Sequence, residues 1–179
     1  PNGSFHTRLD PATPRSRVAF ASGSGITPVL SIVATVLERE PLADFRLYYG
    51  NTSTARTMFL EELLALKDRF LTRLAVGFVM SREPQDVELF NGRIDAERVR
   101  ALARHGFDAR AVDEFFVCGP GTMAAEVQTA LAGLGATGRV HVEHSAAAGA
   151  ANPRRAPEPA APRPAADAAS VTVVMDGRR

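Results

Sequence analysis

The sequence has little from which covalent or metal crosslinks could be built. Its 179 residues include one cysteine, Cys118, and no tryptophan. A single cysteine excludes a disulfide within the chain and any zinc or iron–sulfur site that needs four cysteines from it. This cysteine usage indicates a reducing, cytoplasmic compartment. The fold must therefore be held by a hydrophobic core, and 45% hydrophobic residues in a chain of this length suffice for one domain.

Net charge and long apolar runs are also small. Lys and Arg number 21 against 20 Asp and Glu, so the formal net charge is +1. Such a balance offers no electrostatic footprint for nucleic acid or for an acidic membrane surface. No apolar run approaches the roughly 20 residues that a bilayer-spanning helix needs, and residues 1–4 do not form a secretory signal. We expect neither nucleic acid nor a membrane as a partner.

The composition changes at about Ser145. Residues 146–170 are almost all Ala and Pro, with scattered charges. They carry no large apolar side chains to bury, so we expect a disordered, semi-extended Ala/Pro linker. Residues 171–179 are typical of one strand that enters a turn, which cannot make a domain by itself. We infer that the chain is a piece of a longer polypeptide.

Strand and helix patterns alternate through the first 145 residues. Apolar residues at helical spacing predict a helix in each of the four connections between strands. Thr27 is the expected N-cap of the first helix, with Pro28 at its first position, and Asp95 is the expected cap of the third. Gly106 and Gly135 are expected to end the third and fourth helices. Short apolar runs predict five strands, at residues 18–21, 45–49, 74–80, 114–118 and 139–143.

Strands that alternate with helices predict a parallel sheet with helices on both faces. Right-handed crossovers leave few topologies, and the strand order 3-2-1-4-5 is the simplest. The predicted fold is therefore α/β, a doubly wound five-stranded parallel sheet. In this order strands one and four are neighbours, and ligands bind at such a switch point, outside the carboxyl ends of the strands. Two glycine-rich turns, residues 22–25 and 118–121, fall at those two ends and predict a site there.

The first turn, Gly23-Ser24-Gly25-Ile26-Thr27-Pro28, has the residue types of a phosphate site. Glycine lets the backbone approach a phosphate, and free amide hydrogens and the helix dipole favour its negative charge. The alternative is a tight strand–helix turn that binds nothing. The turn is not the three-glycine dinucleotide fingerprint, because Pro28 stands in the third position, and it lacks the lysine of a P-loop.

No acidic residue follows the second strand, where Asn51 begins a polar stretch. An acid there would hold the ribose hydroxyls of NAD and repel a 2′-phosphate, whereas hydroxyls followed by Arg56 allow one. Ser81 and Arg82, just after the third strand, offer a guanidinium fork that suits phosphate oxygens. The alternative for either arginine is a solvated surface charge.

Cys118 lies at a strand end and before a helix N-terminus, and three interpretations are open. Such a position lowers the pKa of a thiol and could create a nucleophile, although no neighbouring residue completes a nucleophilic motif. The second interpretation is a small, inert core residue. The third is a small polarisable side chain that faces a bound ring without reacting.

The last strand carries His141, Glu143 and His144, a set that suggests a metal site. On a strand the first two side chains share one face and the third points to the other, so three ligands cannot converge. We expect no metal there, and instead ordinary strand residues or the rim of a cofactor site.

Four motifs at successive strand ends resemble the NADP-binding domain of the ferredoxin–NADP reductase family. The motifs are Gly23-Ser24-Gly25-Ile26-Thr27-Pro28, Tyr49-Gly50-Asn51, Ser81-Arg82-Glu83, and Cys118-Gly119-Pro120 with Met123. The resemblance covers about residues 1–145. It is nearest to bacterial oxygenase reductases of the phenylacetyl-CoA epoxidase reductase type, which have stretches similar to Asn91-Gly92-Arg93-Ile94-Asp95 and His141-Val142-Glu143.

The resemblance implies roles for the matching residues. The pyrophosphate of NADPH or NADH would be contacted by Gly23, Ser24, Gly25 and Thr27. The 2′-phosphate side would be held by Ser81 and Arg82. The nicotinamide pocket would be lined by Cys118, Gly119 and Pro120, with Cys118 as the catalytic residue that places the ring against the flavin. The further cofactor contacts expected are Pro28, Asn51, Arg56, Met123 and Glu143.

The resemblance also implies domains and a reaction. Residues 1–15 would end an FAD-binding barrel, 16–145 would form the NAD(P)-binding reductase domain, 146–170 the linker, and 171–179 the start of a truncated [2Fe–2S] ferredoxin domain. The whole protein would pass hydride from NAD(P)H to FAD, and single electrons through the [2Fe–2S] domain to a terminal oxygenase. FAD and the cluster would be bound mainly outside this chain. The alternatives are a flavohaemoglobin-type or other reductase without a ferredoxin domain, and a non-catalytic nucleotide-binding regulatory module.

Overall fold

The computed structural model describes residues 5–145. The predicted linker at 146–170, the predicted strand at 171–179 and the first four residues of the predicted barrel end lie outside the described residues. Besides three short 3-10 helices at Gly23–Gly25, Thr54–Arg56 and Glu88–Phe90, the elements in chain order are β1 (Ser16–Ser22), α1 (Ile26–Arg39), β2 (Asp44–Asn51), α2 (Leu60–Arg69), β3 (Leu74–Met80), α3 (Ala96–Gly106), β4 (Glu114–Gly119), α4 (Gly121–Gly133) and β5 (Arg139–His144).

The five strands form one sheet in the order β3-β2-β1-β4-β5, and all four neighbouring pairs are parallel. This confirms the predicted doubly wound α/β fold. The register aligns the carboxyl ends of the strands, since Ser22 pairs with Gly50 and Ala21 pairs with Cys118. The two glycine-rich turns therefore leave from adjacent strand ends.

Each face of the sheet has its own core. The central strand β1 is buried on both faces, which is why its residues form a continuous apolar run. Val18 and Phe20 pack with residues of α3 and α4, whereas Ala19 and Ala21 pack with residues of α1 and α2. None of the helices between residues 5 and 145 is long and apolar enough to cross a bilayer.

The ends of two helices test the capping predictions. The prediction for Thr27 is wrong, because the N-cap of α1 is Gly25 and no side chain caps this end. The 3-10 turn runs directly into the helix, so Thr27 and Pro28 are its second and third residues; the N–H that proline lacks would have no partner there in any case. The prediction for Asp95 is confirmed, since its Oδ1 accepts a 2.8 Å hydrogen bond from the Arg98 N–H at the start of α3.

Candidate functional site

An open cleft of about 530 Å³ lies at the carboxyl ends of the strands. Its walls come from the ends of β1, β2 and β3, the segment before α3, and the first turns of α4. The switch point between β1 and β4, at which the sequence predicts a site, borders this cleft. The lining residues are Ser22, Gly23, Gly50, Asn51, Thr52, Ser81, Gly92, Arg93, Ile94, Asp95, Pro120, Thr122, Met123 and Glu126.

The two glycine-rich turns touch each other beside this cleft. A Cβ on Gly25 would lie 2.2 Å from the Cys118 carbonyl oxygen and 3.1 Å from the Gly119 nitrogen. A Cβ on Gly119 would lie 2.6 Å from the Cε of Met123 and 3.3 Å from the Cβ of Ser22. Glycine is therefore required at both positions for the backbones to approach this closely.

The first turn is also held from the side of β2. The buried Tyr49 side chain donates a 3.0 Å hydrogen bond from its hydroxyl to the carbonyl oxygen of Gly23. Gly23 has a φ of +53°, in the left-handed region that glycine tolerates. Burial raises the pKa of Tyr49, so the hydroxyl keeps the proton that it donates. The sequence predicts no role for Tyr49 by itself; the available signal was a hydroxyl-bearing aromatic at the end of a buried strand.

The segment before α3 forms a fixed wall of the cleft. The Gln85 N–H donates to Oδ1 of Asn91 at 2.8 Å, and Nδ2 of Asn91 donates to the Gln85 carbonyl at 2.9 Å. The next residue, Gly92, donates its N–H to the carbonyl of Met80 at the end of β3, at 2.7 Å. These bonds place Arg93 at the cleft.

Arg93 is the only basic residue among those that line the cleft; Asp95 and Glu126 are acidic. The Asp95 carboxylate is engaged in capping α3. Arg93 is exposed and forms none of the ion pairs found between residues 5 and 145. Its guanidinium can therefore bind an anionic ligand, a role that the sequence did not predict, because Arg93 stood out only as part of a family-like stretch.

The structure brings some of the predicted site residues to the cleft and leaves others outside its lining. Five line the cleft: Gly23, Asn51, Ser81, Pro120 and Met123. Gly25, Cys118 and Gly119 are buried where the two turns meet. The remaining six lie outside the lining: Ser24, Thr27, Pro28, Arg56, Arg82 and Glu143.

The two predicted phosphate-binding arginines, Arg56 and Arg82, have exposed side chains near the ends of β2 and β3. The backbone there is fixed, since the Arg82 N–H donates to the Thr52 carbonyl at 3.0 Å. Glu83 joins the two loops, because its carboxylate accepts hydrogen bonds from the Thr54 hydroxyl at 2.6 Å and from the Thr54 N–H at 2.7 Å. These two bonds lower the pKa of Glu83, so this side of the site carries a carboxylate as well as two arginines.

Cys118 is only 2% exposed. Burial, and secondarily the negative charge of Glu143, raise the pKa of its thiol to about 11. At neutral pH the side chain is therefore a thiol and not a thiolate, which argues against a nucleophile. The inert-core and ring-facing interpretations both agree with this protonation state.

The last strand places its two histidines differently. His141 stacks on Phe116, with ring centroids 4.7 Å apart, and its Nε2 lies 3.1 Å from Oε1 of Glu114. Glu143 and His144 are exposed. Within residues 5–145, no group of three or more His, Cys, Asp and Glu side chains is arranged to hold a metal ion.

The sequence matches the oxidoreductase NAD-binding domain family over residues 20–129. The chain belongs to this family, as an NAD-binding domain of the ferredoxin reductase type. Every residue that lines the cleft, from Ser22 to Glu126, lies within the matched range. The cleft is therefore built entirely from the part of the chain that carries the family likeness.

Individual relatives agree with this family. The chain is 36% identical over 179 residues to a protein of the 1,2-phenylacetyl-CoA epoxidase of Escherichia coli, covering 99% of this chain and 49% of that protein. It is 34% identical over 160 residues to the ferredoxin reductase component of 3-ketosteroid-9-alpha-monooxygenase of Rhodococcus rhodochrous, covering 88% and 42%. The chain thus spans about half the length of the curated relatives that it matches. The Amycolatopsis cytochrome P450 reductase GcoB has the same fold, with a TM-score of 0.67 at 24% identity over 80% of this chain and 42% of that one.

Proposed function

We propose that this chain binds the NAD(P)H of a flavin- and [2Fe–2S]-dependent reductase and presents its hydride to FAD held by a preceding domain. The observation that carries the proposal is the contact between the two glycine-rich turns at the switch point of the sheet, beside the cleft. Backbone amides, a helix start and a cleft at that point are the elements that dinucleotide sites in such sheets use.

The cleft fits a dinucleotide in size and in chemistry. Its volume of about 530 Å³ lies within the range of roughly 300–1,000 Å³ that small-molecule sites occupy. The first turn and the guanidinium of Arg93 supply partners for the pyrophosphate. The Nδ2 of Asn51 is buried with no hydrogen-bond partner within residues 5–145, and it is a donor that an oxygen of the ligand can satisfy.

In this proposal the residues of the chain divide between binding and orientation. Gly23, Ser24 and Gly25 hold the pyrophosphate, while Ser81, Arg82 and Arg56 lie on the side of the 2′-phosphate. Gly119, Pro120 and Met123 line the nicotinamide pocket, with Thr27, Pro28 and Glu143 at its edges. FAD supplies the hydride acceptor. Because hydride transfer requires the two reacting atoms to be in close contact, orientation can contribute much of the rate enhancement.

Cys118 has a positioning part in this proposal. Its thiol stays protonated at neutral pH, so the side chain is a compact, polarisable surface against which a ring can pack. It neither attacks the substrate nor exchanges a proton with it. Its contribution is the placement of the nicotinamide ring.

The wider assignment to an oxygenase system is supported by the names of the relatives. They include part of an epoxidase and a monooxygenase ferredoxin reductase component. The match to the epoxidase protein extends over 99% of this chain, so it includes most of residues 146–179, where we expect the linker and the start of the [2Fe–2S] domain. We propose an oxygenase as the terminal electron acceptor.

Two measurements on the full-length protein test the proposed function. The first is calorimetric titration with NADPH, NADH and ADP-ribose, each of which is expected to bind. The second is dye reduction with each nucleotide, together with an absorption spectrum. Flavin bands without cluster bands would favour the flavohaemoglobin-type or another ferredoxin-free reductase, and a colourless protein that binds nucleotide would favour the regulatory module. A protein that binds none of the three ligands contradicts the proposal.

A further inference from the structure

A buried charged network lies at the amino-terminal ends of the strands, at the opposite end of the sheet from the cleft. Arg17 and Glu40 are the only fully buried charged residues between residues 5 and 145. Nη1 of Arg17 is 2.6 Å from Oε2 of Glu40, and Nε of Arg17 is 2.8 Å from Oε2 of Glu114. The proposed nucleotide site uses none of these three side chains.

The segment that leads into β1 packs across this network. We call residues 5–10 the strap. The Thr7 hydroxyl donates to Oε2 of Glu114 at 2.6 Å, and the Asp10 N–H donates to Oε1 of Glu40 at 2.7 Å. Arg17 and the strap therefore share both carboxylates.

The strap completes the hydrogen bonding that makes a buried ion network tolerable. Buried ion pairs stabilise a fold only when their remaining lone pairs are also satisfied. The second oxygen of Glu114 is paired with His141 at 3.1 Å, so this carboxylate cannot rotate away from Thr7 without losing a partner. The second oxygen of Glu40 receives Nη2 of Arg17 at 3.2 Å as well as the strap N–H. The acceptors that face the strap are thus fixed in place.

The contacts also give the strap a direction. Asp10 lies at Glu40, just after α1, and Thr7 lies at Glu114, the first residue of β4. The ring of Phe5 packs edge-on against Phe116, with centroids 5.7 Å apart. Alternate residues of a strand share a face, so from Asp10 back to Phe5 the strap runs along β4 towards its carboxyl end, where Cys118 follows on the same face.

We propose that Arg17 is a positioning residue, which fixes Glu40 and Glu114 as the acceptors that hold the strap against the sheet. The strap then sets the direction in which the preceding part of the protein approaches the Cys118 end of β4. This inference rests on the proposed function in one respect, namely that the preceding part carries the flavin. Because near-attack geometry requires reacting atoms about 3–3.5 Å apart, release of the strap would slow hydride transfer and leave nucleotide binding unchanged.

The first experiment measures whether the network holds the strap. In the full-length protein, trypsin cleavage after Arg8 is followed by mass spectrometry, since Arg8 and Leu9 are both exposed. Thr7→Val removes one hydrogen bond to a carboxylate at nearly constant side-chain volume, and we expect cleavage about ten-fold faster. Glu40→Gln should act in the same direction. The control is Glu38→Gln, which removes an exposed ion pair with Arg69 near the same end of α1 and should leave the rate unchanged. Equal cleavage rates for Thr7→Val and the unmodified protein overturn the proposal.

The second experiment measures whether the strap sets the reaction geometry. Stopped-flow reduction of the flavin by NAD(P)H separates the hydride-transfer rate constant from the Kd of the nucleotide. We expect Thr7→Val to lower the rate constant several-fold with Kd and Tm unchanged, a split that a general loss of stability would not produce. Faster cleavage with an unchanged rate constant overturns the positioning role. Failure of the unmodified protein to bind nucleotide would instead contradict the proposed function, and it would appear before any variant is compared.

Discussion

Replacement of Gly25 by alanine should test most directly whether the contact between the two turns matters. Gly25 has a φ of −62° and a ψ of −10°, which alanine adopts without strain. The difficulty is therefore the added methyl group alone. It would lie 2.2 Å from the Cys118 carbonyl oxygen, an atom of the backbone that cannot turn aside as a flexible side chain can. The turns must separate by about 1 Å before the contact becomes an ordinary one.

The size of the effect follows from this displacement. Overpacking of a well-packed site costs about 1–3 kcal/mol, which in a chain of this size corresponds to a fall in Tm of several degrees. A shift of about 1 Å in catalytic geometry can reduce a rate by about 100-fold. We therefore expect Gly25→Ala to weaken NADH and NADPH binding at least ten-fold and by similar factors, because the pyrophosphate is common to both.

Two other glycines provide matched controls for this prediction. Gly133 ends α4 with open space around it, so Gly133→Ala should leave binding unchanged and stability equal or slightly higher. Gly23→Ala adds a methyl group in open space at a φ of +53°, so it reports the cost of the left-handed conformation without a clash, about 1–2 kcal/mol. Calorimetry and thermal melting are run on all three variants. Binding by Gly25→Ala that equals the unmodified protein would refute the reasoning.

The remaining predictions concern specificity, the first turn and pH. Arg82→Ala should weaken NADPH far more than NADH, and calorimetry that finds equal losses removes Arg82 from the 2′-phosphate role. Arg93→Ala should weaken both nucleotides by about ten-fold or more, the effect of one charge-assisted contact, and unchanged affinities would exclude that contact. Tyr49→Phe keeps the ring but removes the bond to the first turn, so ADP-ribose should bind several-fold less tightly than it does to the control Tyr48→Phe; equal affinities would contradict this. Burial opposes ionisation of Glu114, but hydrogen bonds from its partners hold its pKa below the ordinary value. Its stabilising effect is therefore present above about pH 4 and is lost as pH falls through the lowered pKa, so the Tm of Glu114→Gln should change less with acidification.

The sheet could be predicted from the sequence because parallel strands that are covered on both faces are apolar without interruption. Five consecutive buried residues in β1 are the extreme case. Strand ends were less visible. β2 begins at Asp44 and ends at Asn51, one polar residue before and two residues after the predicted run, because these residues pair with Ser16 of β1 and Met80 of β3. Pairing of this kind depends on neighbouring strands and leaves no mark in local hydrophobicity.

The part of the site that lies at strand ends was also accessible, since topology alone places residues 22–25 beside 118–121. Arg93 was not. It reaches the cleft because Asn91 fastens its segment to Gln85 and because Gly92 bonds to the end of β3. Thr122 and Glu126 reach the cleft from the exposed face of α4, where polar residues are ordinary and indicate nothing.

The network around Arg17 was inaccessible for a different reason. Its members are far apart in sequence, since Glu40 lies 23 positions after Arg17 and Glu114 lies 97 positions after it. A charged residue at the start of a strand normally indicates exposure. The burial of Arg17 follows only once the strap covers it, and the strap itself contains no periodic pattern that would predict where it packs.

The two ends of the sheet therefore depend on different forces. The cleft is formed largely by backbone and small side chains, so its geometry depends on glycine contacts and on the hydroxyl of Tyr49. The opposite end is held by charge and hydrogen bonds around Arg17. The seven residues of β1 separate the two ends by roughly 20 Å, a distance at which effects on stability usually add within about 0.3–0.5 kcal/mol. If Thr7 acts only through the strap and Gly25 only through the cleft, the double variant should show the nucleotide affinity of Gly25→Ala and the Arg8 cleavage rate of Thr7→Val. Dependence of either value on the other substitution would mean that the sheet couples its ends.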